Sequence, residues 1–369
     1  MNKLELNIKP AGEWISGLKL PLIIAGPCSA ETEEQLLMTA SGIAKLDKVS
    51  IFRAGVWKPR TRPDYFEGVG SIALEWLKTV KQETGLLTAI EVANTEHLEQ
   101  ALKNEVDILW IGARTTVNPF YVQEIADALK GVDIPVMVKN PINPDLSLWA
   151  GALERFNHAG ITKLIAIHRG FSSFEKTPYR YAPMWEIPIE LKILCPDLLV
   201  ICDPSHISGD ARLLQRIAQK ALDLDMAGLM IETHINPKAA LSDAQQQITP
   251  TQLDELLSNL VYRKASSENI IFENRLEELR EIIDKVDEDL LHALSKRMEV
   301  VREIGEFKRD NNITILQIKR WKKILRTRPD FGKALGLTEE FTKKLYKLIH
   351  KASIQKQTEI MNSEIVNEK

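Results

Sequence analysis

Eight short runs of apolar, largely β-branched residues recur between helical stretches in the first two-thirds of this 369-residue chain. They are Leu22 to Ala25, Ile51 to Ala54, Leu87 to Val92, Ile108 to Ile111, Pro135 to Val138, Lys163 to Ile167, Leu198 to Ile201 and Gly228 to Ile231. Each is short and predominantly apolar, which reads as a strand of a parallel sheet covered on both faces. Every interval leaves room for one amphipathic helix. Eight βα units within about 260 residues predict an α/β TIM (β/α)8 barrel in preference to a doubly wound sheet.

Nearly every run ends in polar chemistry, and the carboxyl ends of barrel strands surround one mouth, so residues distant in sequence converge there. Two sets separate. Cys28, His206, Glu232 and Asp243 offer one sulfur, one nitrogen and two carboxylates, a set suited to a borderline divalent metal such as manganese, iron, cobalt or zinc. Cys28 taken alone reads as a small buried hydrophobe; its place with His206 and Glu232 at strand ends makes it a ligand candidate. His168 and His234 read as core residues. The second set is cationic: Arg53, Lys58, Arg60, Arg114, Lys139 and Arg169. Six cations at adjacent strand ends repel one another unless anions sit among them, which implies phosphate- or carboxylate-bearing substrates. The chain has neither a Walker-type phosphate loop nor a dinucleotide fingerprint, so no nucleotide cofactor is expected.

The balance of 48 basic against 51 acidic residues is too even for a protein held to nucleic acid or membrane by charge. No apolar run approaches the ~18–20 residues that span a bilayer, and the first twenty residues lack a signal-peptide core, so a cytoplasmic location is expected. Cys28, Cys195 and Cys202 cannot all pair and lack zinc-finger spacing. From Asn274 onward the chain carries 21 Lys and Arg against 17 Asp and Glu, leaving 27 against 34 before it. That shift predicts a barrel over residues 1–264, a polar linker over 265–273 and a separate domain over 274–369.

From Asn274 to Lys308, Leu276, Leu279, Ile283, Val286, Leu290, Leu294, Met298, Val301 and Ile304 keep spacings of three or four. This predicts one helix of about nine turns, long enough to call for a bundle or coiled partner. Further helices are expected at about Ile315 to Thr327 and Thr338 to Met361, with Pro329 and Gly332 to Gly336 marking the break. Arg280, Arg297 and Lys308 recur along the long helix, Arg320 starts the next, and Ser353 and Gln357 lie one turn apart on the last. Together they can surround a dicarboxylate; a plain helical dimerisation module is the alternative.

Gly26-Pro27-Cys28-Ser29, Lys58-Pro59-Arg60-Thr61, Gly112-Ala113-Arg114, Asp203-Pro204-Ser205-His206 and Ile231-Glu232-Thr233-His234 resemble, in order and spacing, the 3-deoxy-D-arabino-heptulosonate 7-phosphate (DAHP) synthases of the shorter type I beta kind. The resemblance covers roughly residues 14 to 264. The related 3-deoxy-octulosonate 8-phosphate synthases share the barrel and the phosphoenolpyruvate site, but the Lys-Pro-Arg-Thr segment resembles the erythrose 4-phosphate contact of DAHP synthases. The resemblance implies a metal on Cys28, His206, Glu232 and Asp243, and phosphoenolpyruvate on Arg53, Lys58, Arg114, Lys139 and Arg169. It places the sugar phosphate on Arg60 and Thr61, and Asp203 beside the metal and the aldehyde, with Lys58 and Asp203 as catalytic residues. Arg62 stands where a small residue such as Ser is expected.

The stretch from about Leu276 to Ile360, beginning Leu-Glu-Glu-Leu-Arg-Glu-Ile-Ile-Asp-Lys-Val-Asp, resembles the all-helical chorismate mutases. In that family the long helix spans two subunits, which implies at least a homodimer, with Arg280 serving the partner's pocket. Arg297, Lys308, Gln317, Arg320, Ser353 and Gln357 match the other chorismate contacts; Lys308 and Gln357 are implied at the ether oxygen and, with Arg297, as catalytic groups. The family commonly places acidic residues around the second helix's arginine. Here Gln317, which can bond the substrate hydroxyl, precedes Arg320, and Trp321, which offers no carboxylate, follows it. The combined expectation is a DAHP synthase fused to a chorismate mutase, with feedback on the synthase by prephenate or chorismate. The alternative is a synthase whose helical domain is only a sensor or dimerisation module.

Overall fold

The computed structural model describes residues 4–58, 65–264 and 266–362. The chain divides into two compact units, Met1–Ala265 and Ser266–Lys369. In the first, strands β1 (Leu22–Gly26), β2 (Ile51–Ala54), β3 (Leu87–Val92), β4 (Ile108–Ile111), β5 (Val136–Lys139), β6 (Leu164–His168), β7 (Leu199–Cys202) and β8 (Gly228–Glu232) form a closed parallel barrel. They are the eight runs picked out above, displaced by no more than one residue. Between them lie helices α1 (Glu33–Ala44), α2 (Ile72–Thr84), α3 (Thr95–Lys103), α4 (Pro119–Ala128), α5 (Leu146–His158), α6 (Glu186–Leu194) and α7 (Leu214–Asp223), and α8 (Pro250–Ser258) follows β8. Side chains of Thr32, Asn94, Asn118, Asp145 and Thr249 accept first-turn N–H groups of α1, α3, α4, α5 and α8. Each such cap contributes about 1 kcal/mol and fixes where its helix starts.

The period-two alternation of the strands positions the mouth. Ile51, Ala89, Met137 and Met230 point into the barrel, whereas Phe52, Ile90, Val138 and Ile231 pack against the helices. Arg53, Glu91, Lys139 and Glu232, each two residues beyond an inward residue, therefore also point inward at the carboxyl ends. Ala11 and Ile15, backed by Trp14 and Leu18, join the same interior cluster from the amino-terminal segment.

The second unit consists of α9 (Ile270–Asp310), α10 (Ile318–Ala334) and α11 (Glu339–Asn362), with α9 and α10 both packed along α11. Helix α9 begins inside the stretch expected as linker, because Asn269 Oδ1 accepts from the N–H groups of Ile271 and Phe272 and caps it there. Nor does Pro329 break α10. It lies buried within the helix near Gly332, where an added Cβ would come within 2.4 Å of Thr342 Oγ1. This close seating against α11 offsets the hydrogen bond that proline removes. The helix stops instead at Gly336, whose φ of +82° lets Gly336 N–H reach Lys333 O and Leu337 N–H reach Gly332 O, a Schellman closure. Along α9, Leu279, Ile283, Val286 and Leu290 are 43, 58, 60 and 52% exposed. Their 4-3-4 spacing is that of a coiled-coil seam.

Candidate active sites

Cys28, Glu232 and Asp243 each bring one donor atom within 4.8 Å of the others. Cys28 Sγ is 3.4 Å from Asp243 Oδ2. Fully buried Glu232 accepts from Arg53 Nη1 at 2.9 Å and from Gln246 Nε2 at 2.6 Å. His206 stands at the edge of this triplet, with Nε2 3.8 Å from Glu232 Oε1. Its Nδ1 lies 2.8 Å from Asp203 Oδ2, and burial lowers the pKa of this imidazole while Asp203 works against that shift. Burial, reinforced by Glu232, pushes the Cys28 thiol up to about 12. Burial works against the charge on Glu232 and Asp243, but His206 with Arg53, and His206 with Arg180, hold them below the usual carboxylate range. At neutral pH the triplet is therefore two carboxylates and one neutral thiol.

Above this set the cations are organised by aromatic rings. Arg53 Cζ is 4.7 Å and Lys139 Nζ 5.7 Å from the Trp110 ring centroid, and Trp110 Nε1 donates to Glu91 Oε2 at 3.1 Å. A Cβ at Gly112 would lie 1.9 Å from Glu91 Oε1, which is why this corner takes glycine. Arg53, 1% exposed, also donates to the Cys28 carbonyl at 3.2 Å, and its Nε has no hydrogen-bond partner among the described residues. Lys139 Nζ donates to Asp203 Oδ2 at 2.8 Å. Burial disfavours the Asp203 anion, yet His206 and Lys139 hold it well below the carboxylate range. Arg169 Cζ sits 3.6 Å over the Tyr181 ring. Burial pushes the Tyr181 phenol up, and Arg169, Arg180 and Arg114 together bring it down. Lys58 Nζ lies over Gly55 and bears on Cys28. Arg60 and Thr61 fall outside the described residues. Arg180, Tyr181 and Gln246 escaped the sequence reading, since they stand in irregular segments and belong to none of its motifs.

Cys195 and Cys202 are free, buried and part of the layer between strands and helices. His234 is buried, its Nδ1 accepting from Asn236 N–H and its Nε2 lying 3.5 Å from Glu31. His168 has the outward parity of Ala166 and packs on Phe171 and Trp185. Burial, then Arg169, lowers its pKa from 6.5 to about 3. The unfolded chain binds this proton below pH 6.5 and the folded chain only near 3, so the neutral histidine favours folding above 6.5 and this advantage is lost as pH falls. The loss approaches about 1.4 kcal/mol per pH unit inside that window. Urea unfolding at pH 7 and pH 5 should show the difference between the two shrink by about 2 kcal/mol in His168→Leu; an unchanged difference would refute the assignment.

In the second unit Arg297 Nη1 donates to Ser353 Oγ at 2.8 Å and Lys308 Nζ to Gln357 Oε1 at 3.0 Å. Lys308, Ser353 and Gln357 are buried. Lys308 also bonds the carbonyl of Ile315, which draws the approach to α10 toward this pocket. Gln317 stands at the N-cap position of α10 without a side-chain capping bond, and Arg320 follows in its first turn, both exposed. Trp321 stacks on His350 of α11, ring centroids 3.8 Å apart. Arg280 does not join them: it lies seventeen residues before Arg297 on the same helix, roughly 25 Å along the axis.

The family model described as DAHP synthetase I matches residues 5–266, and that described as chorismate mutase type II matches residues 279–358. A phospho-2-dehydro-3-deoxyheptonate aldolase of Thermotoga maritima is 31% identical over 238 residues, spanning 64% of this chain and 68% of that protein. A 2-dehydro-3-deoxyphosphooctonate aldolase of Wolinella succinogenes is 26% identical over 264 residues, 65% of this chain and 98% of that protein. Among solved structures, the DAHP synthase of Thermotoga maritima superposes with a TM-score of 0.58 at 30% identity, covering 64% of this chain and 67% of that one. The barrel, its mouth and the family match over residues 5–266 agree: the chain belongs to the DAHP synthetase I family and carries, after its barrel, a helical unit of the chorismate mutase type II kind.

Proposed function

We propose that this is a bifunctional enzyme of aromatic biosynthesis, in which the barrel condenses phosphoenolpyruvate with erythrose 4-phosphate to give DAHP and phosphate. The helical unit rearranges chorismate to prephenate. The observation that carries the reading is that each unit holds its own polar constellation within its own family match, a donor triplet beneath a cation cluster in the barrel and the Arg297–Ser353 and Lys308–Gln357 pairs between helices. No helix among the described residues is long and apolar enough to cross a membrane; with the balanced charge and free cysteines, this fits the cytoplasmic location inferred from the sequence.

Cys28, Glu232 and Asp243, with His206 at their edge, are the residues that would hold one divalent cation, and the mixed donor set fits manganese, iron, cobalt or zinc. Such an ion supplies Lewis-acid polarisation of an aldehyde oxygen. Lys58, Arg114, Lys139 and Arg169 hold the phosphate and carboxylate of phosphoenolpyruvate, so that its methylene carbon faces the aldehyde. Arg53 contributes its remaining Nε–H. Arg60 and Thr61 take the sugar phosphate. As the methylene carbon bonds the aldehyde carbon, the carbonyl pair passes to the aldehyde oxygen, which takes up a proton. Water adds to the phosphate-bearing carbon with loss of one proton. The hydroxyl so formed loses the other as the bond from carbon to the phosphate oxygen breaks, leaving a ketone and releasing inorganic phosphate with the bonding pair. Asp203, kept anionic by Lys139 and His206, is positioned to balance positive charge developing there.

In the helical unit Arg297 and Arg320 hold carboxylates in the compact conformer, and Lys308 with Gln357 stabilises charge on the breaking ether oxygen. Arg280 reaches this pocket from a second copy in a homodimer. Prephenate bound here slows the synthase by favouring one arrangement of the protein over another; synthase rates unmoved by saturating prephenate would remove that element. The test of the whole reading is chorismate disappearance and phosphoenolpyruvate consumption, followed on the same samples of wild type and Arg297→Ala. Both activities in wild type, with only the first lost in the variant, are expected. Synthase activity without chorismate turnover in wild type would leave the helical unit a sensor or a dimer seam.

A further inference from the structure

We propose that Arg180 and Gln246 form a yoke that sets the spacing and aim of the two carboxylates, Glu232 and Asp243, and thereby tunes how tightly the barrel binds a divalent cation. This rests on reading Cys28, Glu232 and Asp243 as the cation site. Arg180, between β6 and α6, donates from Nη1 to Asp243 Oδ1 at 3.0 Å and to Gln246 Oε1 at 2.9 Å. Gln246, 1% exposed, donates from Nε2 to Glu232 Oε2 at 2.6 Å. The two carboxylates are thus joined through one unbroken relay. Its polarity is fixed at both ends, since a guanidinium demands the amide oxygen and a carboxylate demands the amide nitrogen.

The oxygens engaged decide between two roles for Arg180. A competitor for the cation would cover the oxygen that faces the thiol. Arg180 instead takes Oδ1 and leaves Oδ2, 3.4 Å from Cys28 Sγ, uncovered. Gln246 likewise takes Oε2 of Glu232, leaving Oε1 toward Arg53 and His206. Asp243 moreover adopts φ +47° and ψ +36°, a left-handed conformation that a non-glycine residue keeps only when its surroundings hold it there. Arg180 and Gln246 also line, together with Asp243 itself, a cavity of about 590 Å³, so the relay is reached from that space. They act as positioning residues, orienting ligands from behind as outer hydrogen-bond partners do in metal sites generally.

The test is Mn2+ binding to metal-stripped, full-length protein by equilibrium dialysis, with Co2+ as a second probe whose thiolate absorption reports Cys28. Arg180→Ala and Gln246→Ala should each weaken Mn2+ binding about 10- to 100-fold. The double variant should be no weaker than the worse single one, because both cut the same relay. Arg180→Lys should recover part of the affinity, and thermal transitions matching wild type would show that the folds are intact. Unchanged or tighter Mn2+ binding in Arg180→Ala overturns the proposal, tighter binding making Arg180 a competitor; so do additive losses in the double variant. Wild type that takes up neither ion, or Co2+ without a thiolate band, sinks the cation site itself and the yoke with it.

Discussion

Arg53→Met should destabilise the barrel by about 3–5 kcal/mol and stop phosphoenolpyruvate consumption, while chorismate turnover persists. The size follows from burial. Arg53 and Glu232 are 1% and 0% exposed, and their contact is 2.9 Å. Methionine keeps most of the stem's packing but leaves the fully buried Glu232 without its closest counter-charge. His206 and Lys58 still act on that carboxylate, and Gln246 keeps one hydrogen bond to it. None of these replaces a guanidinium that also bonds the Cys28 carbonyl and lies over Trp110. Removing one partner of such a pair costs more than removing both, because the survivor is a buried charge. Arg53→Met combined with Glu232→Met should therefore regain much of the stability and none of the synthase activity. Urea unfolding at pH 7 measures this, and a loss below about 1 kcal/mol in the single variant would mean that Glu232 is far better solvated than its burial implies.

The same alternation that makes this pair so costly to break made the barrel readable. Predominantly apolar runs of four to six residues leave few options besides strands buried on both faces, and parity then carries Arg53, Glu91, Lys139 and Glu232 inward. His168, one residue out of phase, falls on the helix side and was legible as core. Arg180 and Tyr181 were not legible, for they occupy an irregular segment whose path no periodicity dictates. A cation there reads as solvated surface until the fold brings it to Asp243. Gln246 gave no signal either, since a glutamine becomes informative only when both ends of its amide have charged partners. In the helical unit the local rules for ending helices misplaced two boundaries. Seating against α11 kept Pro329 inside α10, and the Asn269 cap moved the start of α9 into the expected linker.

The long helix leads to the other large effect. Mixing Arg280→Ala subunits with Arg297→Ala subunits should restore about a quarter of wild-type chorismate turnover, from two parents that each retain about a hundredth or less. Within one chain these arginines stand on one uninterrupted helix, roughly 25 Å apart, too far to grip one small dicarboxylate. The stripe of Leu279, Ile283, Val286 and Leu290, which starts beside Arg280 and runs toward Arg297, is half exposed among the described residues. In the proposed homodimer, a two-fold partner laid along that stripe would cover it and carry its own Arg280 to the Arg297 end of the first helix. In a mixed dimer one pocket then has both arginines and the other has neither. Random pairing at equal concentrations makes half the dimers mixed, each with one working pocket of two, which gives the quarter. The experiment unfolds the two variants together, refolds them and follows chorismate; differently tagged subunits recovered as one complex establish that exchange took place. Exchanged dimers no more active than their parents would mean that Arg280 serves no pocket across the seam.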